Sequence, residues 1–293
     1  MNSYALTLLA NMCFALGAQF FTHYSRKFSS SWMNTFKAWV AAICFLITIL
    51  ITSGFHYISL YNLSWFLISG FIALGIGDIF LLKAFEKIGP GRTMVIFGFH
   101  PVIVGVLSYL FLSQSLDLNK LWGVLFFICC LVIYSYESFK ASGKWEVQGI
   151  LFAFLGMFLD GVGVLITRFA FDLNSTITAF EGNLYRCIGA LLSYLLIRQF
   201  APFQFRSRLK SLNTRSKFYV FLGSIFGTYL SLAFYLTAIQ QTTNLAVVSA
   251  ISITSVIFSS LFECLWDKKW PSIYLYISFI FFFVGMAFVF DFL

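Results

Sequence analysis

Charge is what this sequence has least of. Asp, Glu, Lys and Arg together make up only 10% of the 293 residues, and no stretch is polar and long enough to form a separate soluble domain. Hydrophobic residues make up 60%, and the mean hydropathy is +0.89. A soluble domain of this composition would have too little polar surface to face water. The solvent around most of the chain must therefore be lipid.

The signatures of several function classes are also missing. No glycine-rich loop ends in Lys-Ser or Lys-Thr, as a nucleotide-binding loop would. The six cysteines show no CxxC spacing, the three histidines are not spaced as metal ligands, and no serine-based catalytic motif is visible. We therefore expect no disulfide, metal or cofactor, and a protein that is not an enzyme.

Ten apolar runs fill most of the chain, each close to the 20 residues that a helix needs to cross a bilayer. The predicted spans are 3–23, 32–52, 63–84, 91–113, 119–136, 147–169, 177–199, 217–240, 243–266 and 271–291. The first run lacks a positively charged start and is too long for a secretory signal, so we expect it to be retained.

The second five spans repeat the first five. Asn34, Lys37 and Ala41 stand at relative positions 0, +3 and +7, and 149 residues later Asn183, Arg186 and Ala190 do the same. These spacings place the three residues on one helical face. A basic residue within an apolar span is costly, so its recurrence indicates duplication. We predict two five-helix repeats, over residues 1–140 and 147–293.

The basic residues predict how the chain crosses the membrane. Connections one, three, five, seven and nine hold fourteen of the nineteen Lys and Arg residues. The positive-inside rule then places these odd connections in the cytoplasm and both termini outside. Because each repeat has an odd number of spans, the two repeats are inverted. The predicted fold is an all-α integral membrane protein with ten transmembrane helices in two inverted five-helix repeats.

The basic stretch 206–217 could suggest nucleic acid, but it lies between two spans. We interpret it as a central linker that touches anionic lipid headgroups, and we expect no nucleic-acid partner.

The repeat extends through the later spans at an offset near 154. Ala84-Phe-Glu-Lys-Ile-Gly-Pro-Gly-Arg-Thr-Met aligns with Ala238-Ile-Gln-Gln-Thr-Thr-Asn-Leu-Ala-Val-Val, and Pro101 aligns with Ser255. With the basic residue in the second span of each repeat, this pattern resembles the drug/metabolite transporter superfamily, in its ten-span branch of two EamA-type repeats. The resemblance covers the whole chain. It implies alternating access around a central cavity, with export of a small organic solute.

Four charged residues within spans are the main candidate site residues. Asp78 is either a proton or amine site or the structural partner of Lys37 or Lys83, whereas mid-span Asp160 suits a proton-coupling carboxylate. Lys37 and Arg186 could bind a substrate carboxylate or phosphate. Alternatively, each holds an acid or backbone carbonyls within its own half, and Lys37 could extend toward the cytoplasmic surface.

Other polar residues complete the candidate site. We expect Asn34 and Asn183 to hydrogen-bond their basic neighbours, His100 to titrate or pack before the kink at Pro101, and Tyr185 to line the cavity. Glu181 is interpreted as a helix-start charge or a gate. Glu263 is expected to extend to the surface or pair with Lys268 or Lys269.

Acids and bases in one cavity suit a solute that carries both charges. The sequence therefore predicts a proton-coupled secondary transporter of a small amphiphilic or zwitterionic metabolite, such as an amino acid, in the bacterial inner membrane. Its partners would be the solute and membrane lipids, and it would be a monomer or weak dimer. The alternative is a flippase for lipids or lipid-linked intermediates on the same fold.

Overall fold

The computed structural model describes residues 3–112, 146–200, 204–241, 254–268 and 272–289, with isolated positions between 122 and 140 and at 248, 251 and 270. These residues form helices and no strands. The helices are α1 (Ser3–Lys27), α2 (Ser30–Ile51), α3 (Leu60–Ser69), α4 (Asp78–Phe97), α5 (His100–Leu112), α6 (Val147–Leu173), α7 (Ala179–Phe200), α8 (Phe205–Ser211), α9 (Thr214–Ser224), α10 (Ser231–Gln241), α11 (Thr254–Asp267) and α12 (Ile273–Val289). Two π-helical segments, Gly70–Gly77 and Ile225–Leu230, join α3 to α4 and α9 to α10.

The predicted all-helical membrane fold is confirmed. Five continuous helical stretches are long and apolar enough to cross a bilayer, namely Ser3–Lys27, Ser30–Ile51, Leu60–Phe97, Val147–Leu173 and Thr214–Gln241. Shorter apolar helices cover His100–Phe111 and Ile273–Gly285. Most of the predicted fifth span, 119–136, and the start of the ninth, 243–253, lie outside the described residues.

The third and fourth predicted spans meet at a break inside α4. Gly89 has a φ of 82°, a left-handed conformation that glycine adopts without steric cost, and Pro90 follows it. Glu263 of α11 accepts a hydrogen bond of 2.7 Å from the backbone N–H of Gly91, so it caps the restarted helix. Glu263 is half-buried and binds this backbone donor, and among the described residues it forms no ion pair with Lys268, so the predicted pairing with Lys268 was wrong; Lys269 lies outside the described residues.

The two π-helical segments stand at equivalent positions in the repeats. Gly70–Gly77 and Ile225–Leu230 are related by nearly the same offset as the sequence repeat of the later spans. π-Helical turns leave backbone carbonyls without their usual helical partner and are common at functional sites. Regular α-helical hydrogen bonding is thus interrupted at the equivalent position of the same span in each repeat.

The first helix of each repeat packs against the other repeat. α1 contacts α9, α10 and α11, while α6 contacts α3, α4 and α5, and α2 packs against α7. The approach is close: a Cβ on Gly17 of α1 would lie 2.2 Å from the Cα of Gly227. A Cβ on Gly70 would lie 1.9 Å from the carbonyl oxygen of Arg186. The interleaving brings polar residues of both repeats to one central space.

We name the two ends of the bundle by their connections. The odd-loop face is the end of the bundle where α2 begins and where the segment after α7 lies. The even-loop face is the end where α7 begins and where the segment after α2 lies. α2 and α7 therefore run antiparallel, and each has about the length that crosses the apolar core of a bilayer.

Candidate functional site

A central cavity of about 120 Å³ lies between the two repeats. It brings together five of the eight predicted site residues: Lys37, Asp78, His100, Asp160 and Arg186. Its other lining residues include Asn11, Phe14, Leu74, Leu81, Met94, Phe97, Thr228, Ser231, Tyr235 and Ser255. Both repeats therefore contribute charged and apolar surface to one space.

Lys37 and Asp78 form an ion pair within the first repeat. The Lys37 Nζ lies 2.6 Å from Asp78 Oδ2, and the Lys37 side chain is only 4% exposed. The ammonium also lies 5.0 Å from the centre of the Phe21 ring. Lys37 thus points inward to a carboxylate and not toward the membrane surface, so the prediction that it extends outward was wrong. Removal of either partner would leave an uncompensated buried charge, which is strongly destabilising.

Lys83 takes no part in this pair. Its Nζ lies 5.7 Å and 5.4 Å from the ring centres of Phe80 and Phe152. Of the two lysines considered as partners of Asp78, the structure therefore selects Lys37 and not Lys83.

His100 and Asp160 meet across the repeats. His100 Nε2 lies 3.3 Å from Asp160 Oδ2. The two groups are close enough for an electrostatic interaction, but their geometry is not that of a hydrogen bond. The His100 side chain is 6% exposed, whereas that of Asp160 is 33% exposed, so the carboxylate presents surface to the cavity. The imidazole and the carboxylate therefore lie next to each other, one from each repeat.

Arg186 is buried but only partly satisfied. Its Nε donates to Ser69 Oγ at 3.1 Å, and that hydroxyl lies 2.6 Å from Thr167 Oγ1 and 2.8 Å from the Gly163 carbonyl. The residue is 1% exposed, and Nη1 has no hydrogen-bond partner among the described residues. No described carboxylate lies within the 4.0 Å of an ion pair with it. A buried guanidinium with a free donor is suited to a planar anion.

Asn34 and Asn183 form hydrogen bonds with other partners than those predicted. The Asn34 amide donates to the carbonyls of Leu74 and Gly75 at 3.0 and 3.2 Å, and the Asn183 amide donates to Leu232 at 2.9 Å. Each asparagine therefore binds backbone carbonyls at or just after the π-helical segment of its own repeat. The expectation that they hydrogen-bond Lys37 and Arg186 was wrong, because the π-helical turns offer free acceptors nearby.

Tyr185 lies away from the cavity. Its side chain belongs to a buried apolar cluster, where its ring centre is 6.1 Å from that of Phe66. The sequence missed Asn11, Thr228, Ser231 and Tyr235, whose positions depend on how the repeats interleave. Ser255 carried a signal, because it is the repeat counterpart of Pro101.

Metal ligands do not cluster in the part of the chain that the structure describes: it has no group of three or more His, Cys, Asp or Glu suited to a metal ion. Cys13, Cys44, Cys129 and Cys187 are free thiols.

The fold and the cavity define a polytopic membrane protein of two interleaved helical repeats with a charged site between them. The sequence matches the EamA-like transporter family over residues 1–136 and 147–291, and the chain belongs to that family. Its members are membrane transporters of the drug/metabolite type rather than enzymes.

One solved structure, described as "Crystal structure of protein", is similar over 98% of this chain and 96% of its own. The TM-score is 0.69 at 14% identity, a level that shows the fold alone. No curated protein matches the sequence.

Proposed function

We propose that this protein is a proton-coupled secondary transporter that moves a small zwitterionic solute, such as an amino acid, by alternating access. One observation carries the proposal: Arg186 lines the cavity, and the Nη1 of its buried guanidinium has no hydrogen-bond partner among the described residues. A solute carboxylate would satisfy that donor, and the cavity offers carboxylates for a cationic group on the same solute.

The charges in the cavity support a solute of both signs. Lys37 and Asp78 neutralise each other at 2.6 Å. Arg186 and Asp160 remain, one without an ion-pair partner and the other beside His100 at 3.3 Å. A carboxylate at Arg186 and an ammonium at Asp160 would leave neither charge uncompensated in a medium where an isolated charge costs several kcal/mol.

The size of the cavity supports a small solute. Sites for drug-sized ligands have volumes of roughly 300–1,000 Å³. The space here, about 120 Å³, suits a solute of a few carbon atoms better than a lipid chain. Aromatic rings at Phe14 and Phe97 would contact its apolar part.

Asp160 and His100 would carry the coupling proton. A proton on the carboxylate removes the charge that would otherwise hold a solute ammonium, so proton and solute would exclude each other there. Competition for one group is the simplest basis of exchange transport. The family resemblance favours export, and the charge pattern favours an orientation with the odd connections in the cytoplasm.

The test is the melting temperature of the purified protein with amino acids, polyamines, nucleotides and phospholipid headgroups, at pH 5.5 and 8. A zwitterion at a hundred times its Kd should stabilise the folded protein by about 2.7 kcal/mol. Arg186→Gln should abolish the rise in melting temperature that the zwitterion produces. The matched control is Arg168→Gln, because Arg168 lies outside the cavity beside Asp172 at 3.0 Å.

Equal stabilisation of both variants would contradict the assignment of Arg186. Stabilisation by phospholipids alone would overturn the zwitterion proposal and favour the flippase alternative.

A further inference from the structure

One buried carboxylate joins two segments at the even-loop face. Glu181, at the start of α7, is 0% exposed. It accepts hydrogen bonds from the backbone N–H of His56 at 2.7 Å and from the backbone N–H and hydroxyl of Thr178, both at 2.8 Å. His56 Nδ1 lies 2.9 Å from the same carboxylate. Glu181 thereby joins the start of α7 to the segment after α2.

One buried indole joins two segments at the odd-loop face. Trp32, at the start of α2, is 0% exposed, and its Nε1 donates to the Phe205 carbonyl at 3.2 Å. The two rings also contact each other, with centres 5.8 Å apart. Trp32 thereby joins the start of α2 to the segment after α7.

The two contacts are equivalent under the repeat. Trp32 and Glu181 are 149 residues apart, and so are His56 and Phe205. That is the separation of Lys37 and Arg186, which defined the repeat. Because α2 and α7 are antiparallel, equivalent contacts lie at opposite ends of the pair. Each face also has a second bond between the same segments: Asn174 donates to the Tyr57 carbonyl at 3.2 Å, and Arg208 donates to the Phe28 carbonyl.

We propose that the Glu181–His56 and Trp32–Phe205 contacts are the two latches of the carrier, one at each face of the cavity, and that they open alternately. Both contacts are formed in the structure. The proposal rests on the proposed alternating access, but not on the identity of the solute.

The chemistry of the latches differs although their positions match. Glu181 is an acceptor that receives several N–H and O–H donors, so Glu181→Gln places an amide N–H₂ among donors and removes the charge. Trp32 is a donor, so Trp32→Phe keeps an aromatic ring but removes the N–H that donates to the Phe205 carbonyl. Each substitution therefore weakens one latch and leaves the other intact.

The experiment measures access to the cavity from each face. Ser255 lines the cavity, and Ser255→Cys gives a reporter for a membrane-impermeant maleimide in intact cells and in inverted vesicles of the full-length protein. Ser53→Cys and Lys210→Cys, at exposed positions, mark the even-loop and odd-loop faces. The chain with Ser255 retained gives the background from its native cysteines.

We expect Glu181→Gln to speed labelling of the reporter roughly tenfold from the even-loop face and to leave or lower the rate from the other face. Trp32→Phe should do the reverse. Equal acceleration from both faces, no acceleration, or acceleration from the wrong face would overturn the proposal.

Milder variants keep the test decisive if either substitution prevents folding. Asn174→Ala and Arg208→Gln remove the second hydrogen bond of each face, and Asn174→Ala also removes the two hydrogen bonds that its Oδ1 accepts from Thr176. Both variants should act in the same directions with smaller effects. Labelling needs no solute, so the latch proposal can fail while the thermal test of Arg186 succeeds, and the reverse also holds.

Discussion

Lys37 and Arg186 occupy equivalent positions but have different environments. Lys37 has a carboxylate of its own repeat at 2.6 Å, whereas Arg186 donates to a serine of the other repeat and keeps a free Nη1. Equivalent residues thus have different partners, a carboxylate for Lys37 and a hydroxyl for Arg186. The same divergence appears at Trp32 and Glu181, where one position carries a donor and the other an acceptor.

The Lys37–Asp78 pair gives a prediction at the residue scale. Lys37→Met should destabilise the folded protein by about 3 kcal/mol, because it leaves Asp78 charged and unpaired in a buried site. Lys37→Met with Asp78→Leu should regain most of that loss, since no uncompensated charge remains. Unfolding in detergent by chemical denaturant, followed by far-UV circular dichroism, measures both. If the double variant lost as much unfolding free energy as the two single variants together, the pairing would be contradicted.

The sequence located these residues but not their partners. The repeat register and the cost of charge in lipid were sufficient to select Lys37, Asp78, Asp160 and Arg186. The choice between Lys37 and Lys83 as the partner of Asp78 depended on the rotation of α4, which aims Lys83 at Phe80 and Phe152. One short sequence segment does not fix that rotation.

At the scale of elements, the π-helical segments set the depth of the cavity. Leu74 lines it from the first segment, while Gly227 and Thr228 line it from the second. Asn34 and Asn183 bind backbone carbonyls in or beside these segments, so a polar side chain stabilises each irregular turn. The glycines allow the segments to approach α7 and α1 closely.

Gly70→Ala should disturb this packing. A Cβ there would lie 1.9 Å from the Arg186 carbonyl, which is backbone and cannot rotate away, so we expect a loss of about 1–3 kcal/mol and a lower melting temperature. Gly105→Ala in α5 is the matched control, because no heavy atom lies within 4 Å of its Cβ position. It should leave the melting temperature unchanged or raise it slightly. Similar losses for both variants would refute the close approach as the cause.

For the whole molecule, interleaving decides where the cavity lies. α1 packs on the second repeat and α6 on the first, so neither repeat can form the site alone. The latches at the two faces join α2 and α7, the helices that also carry Lys37 and Arg186. A movement at either face would therefore be transmitted along the helices that hold the charged residues.

The charge distribution gives a prediction at this scale. Lys210→Cys should be labelled by an impermeant maleimide only in inverted vesicles, because the odd connections carry most Lys and Arg residues and stay in the cytoplasm. Ser53→Cys should be labelled only in intact cells. Labelling of both positions from one side would contradict the antiparallel course of α2 and α7, and exchange of the two results would overturn the predicted orientation.

The sequence by itself determined the membrane environment, the helical class, the two repeats and the equivalence of Lys37 with Arg186. Hydropathy and residue spacing are local properties, and lipid leaves the backbone few alternatives to a helix. Only the tertiary structure decided that Arg186 Nη1 has no hydrogen-bond partner among the described residues, that Tyr185 is in an apolar cluster, and that Trp32 and Glu181 form contacts at opposite faces. These features depend on contacts between residues more than a hundred positions apart, which are fixed by the packing of one repeat into the other.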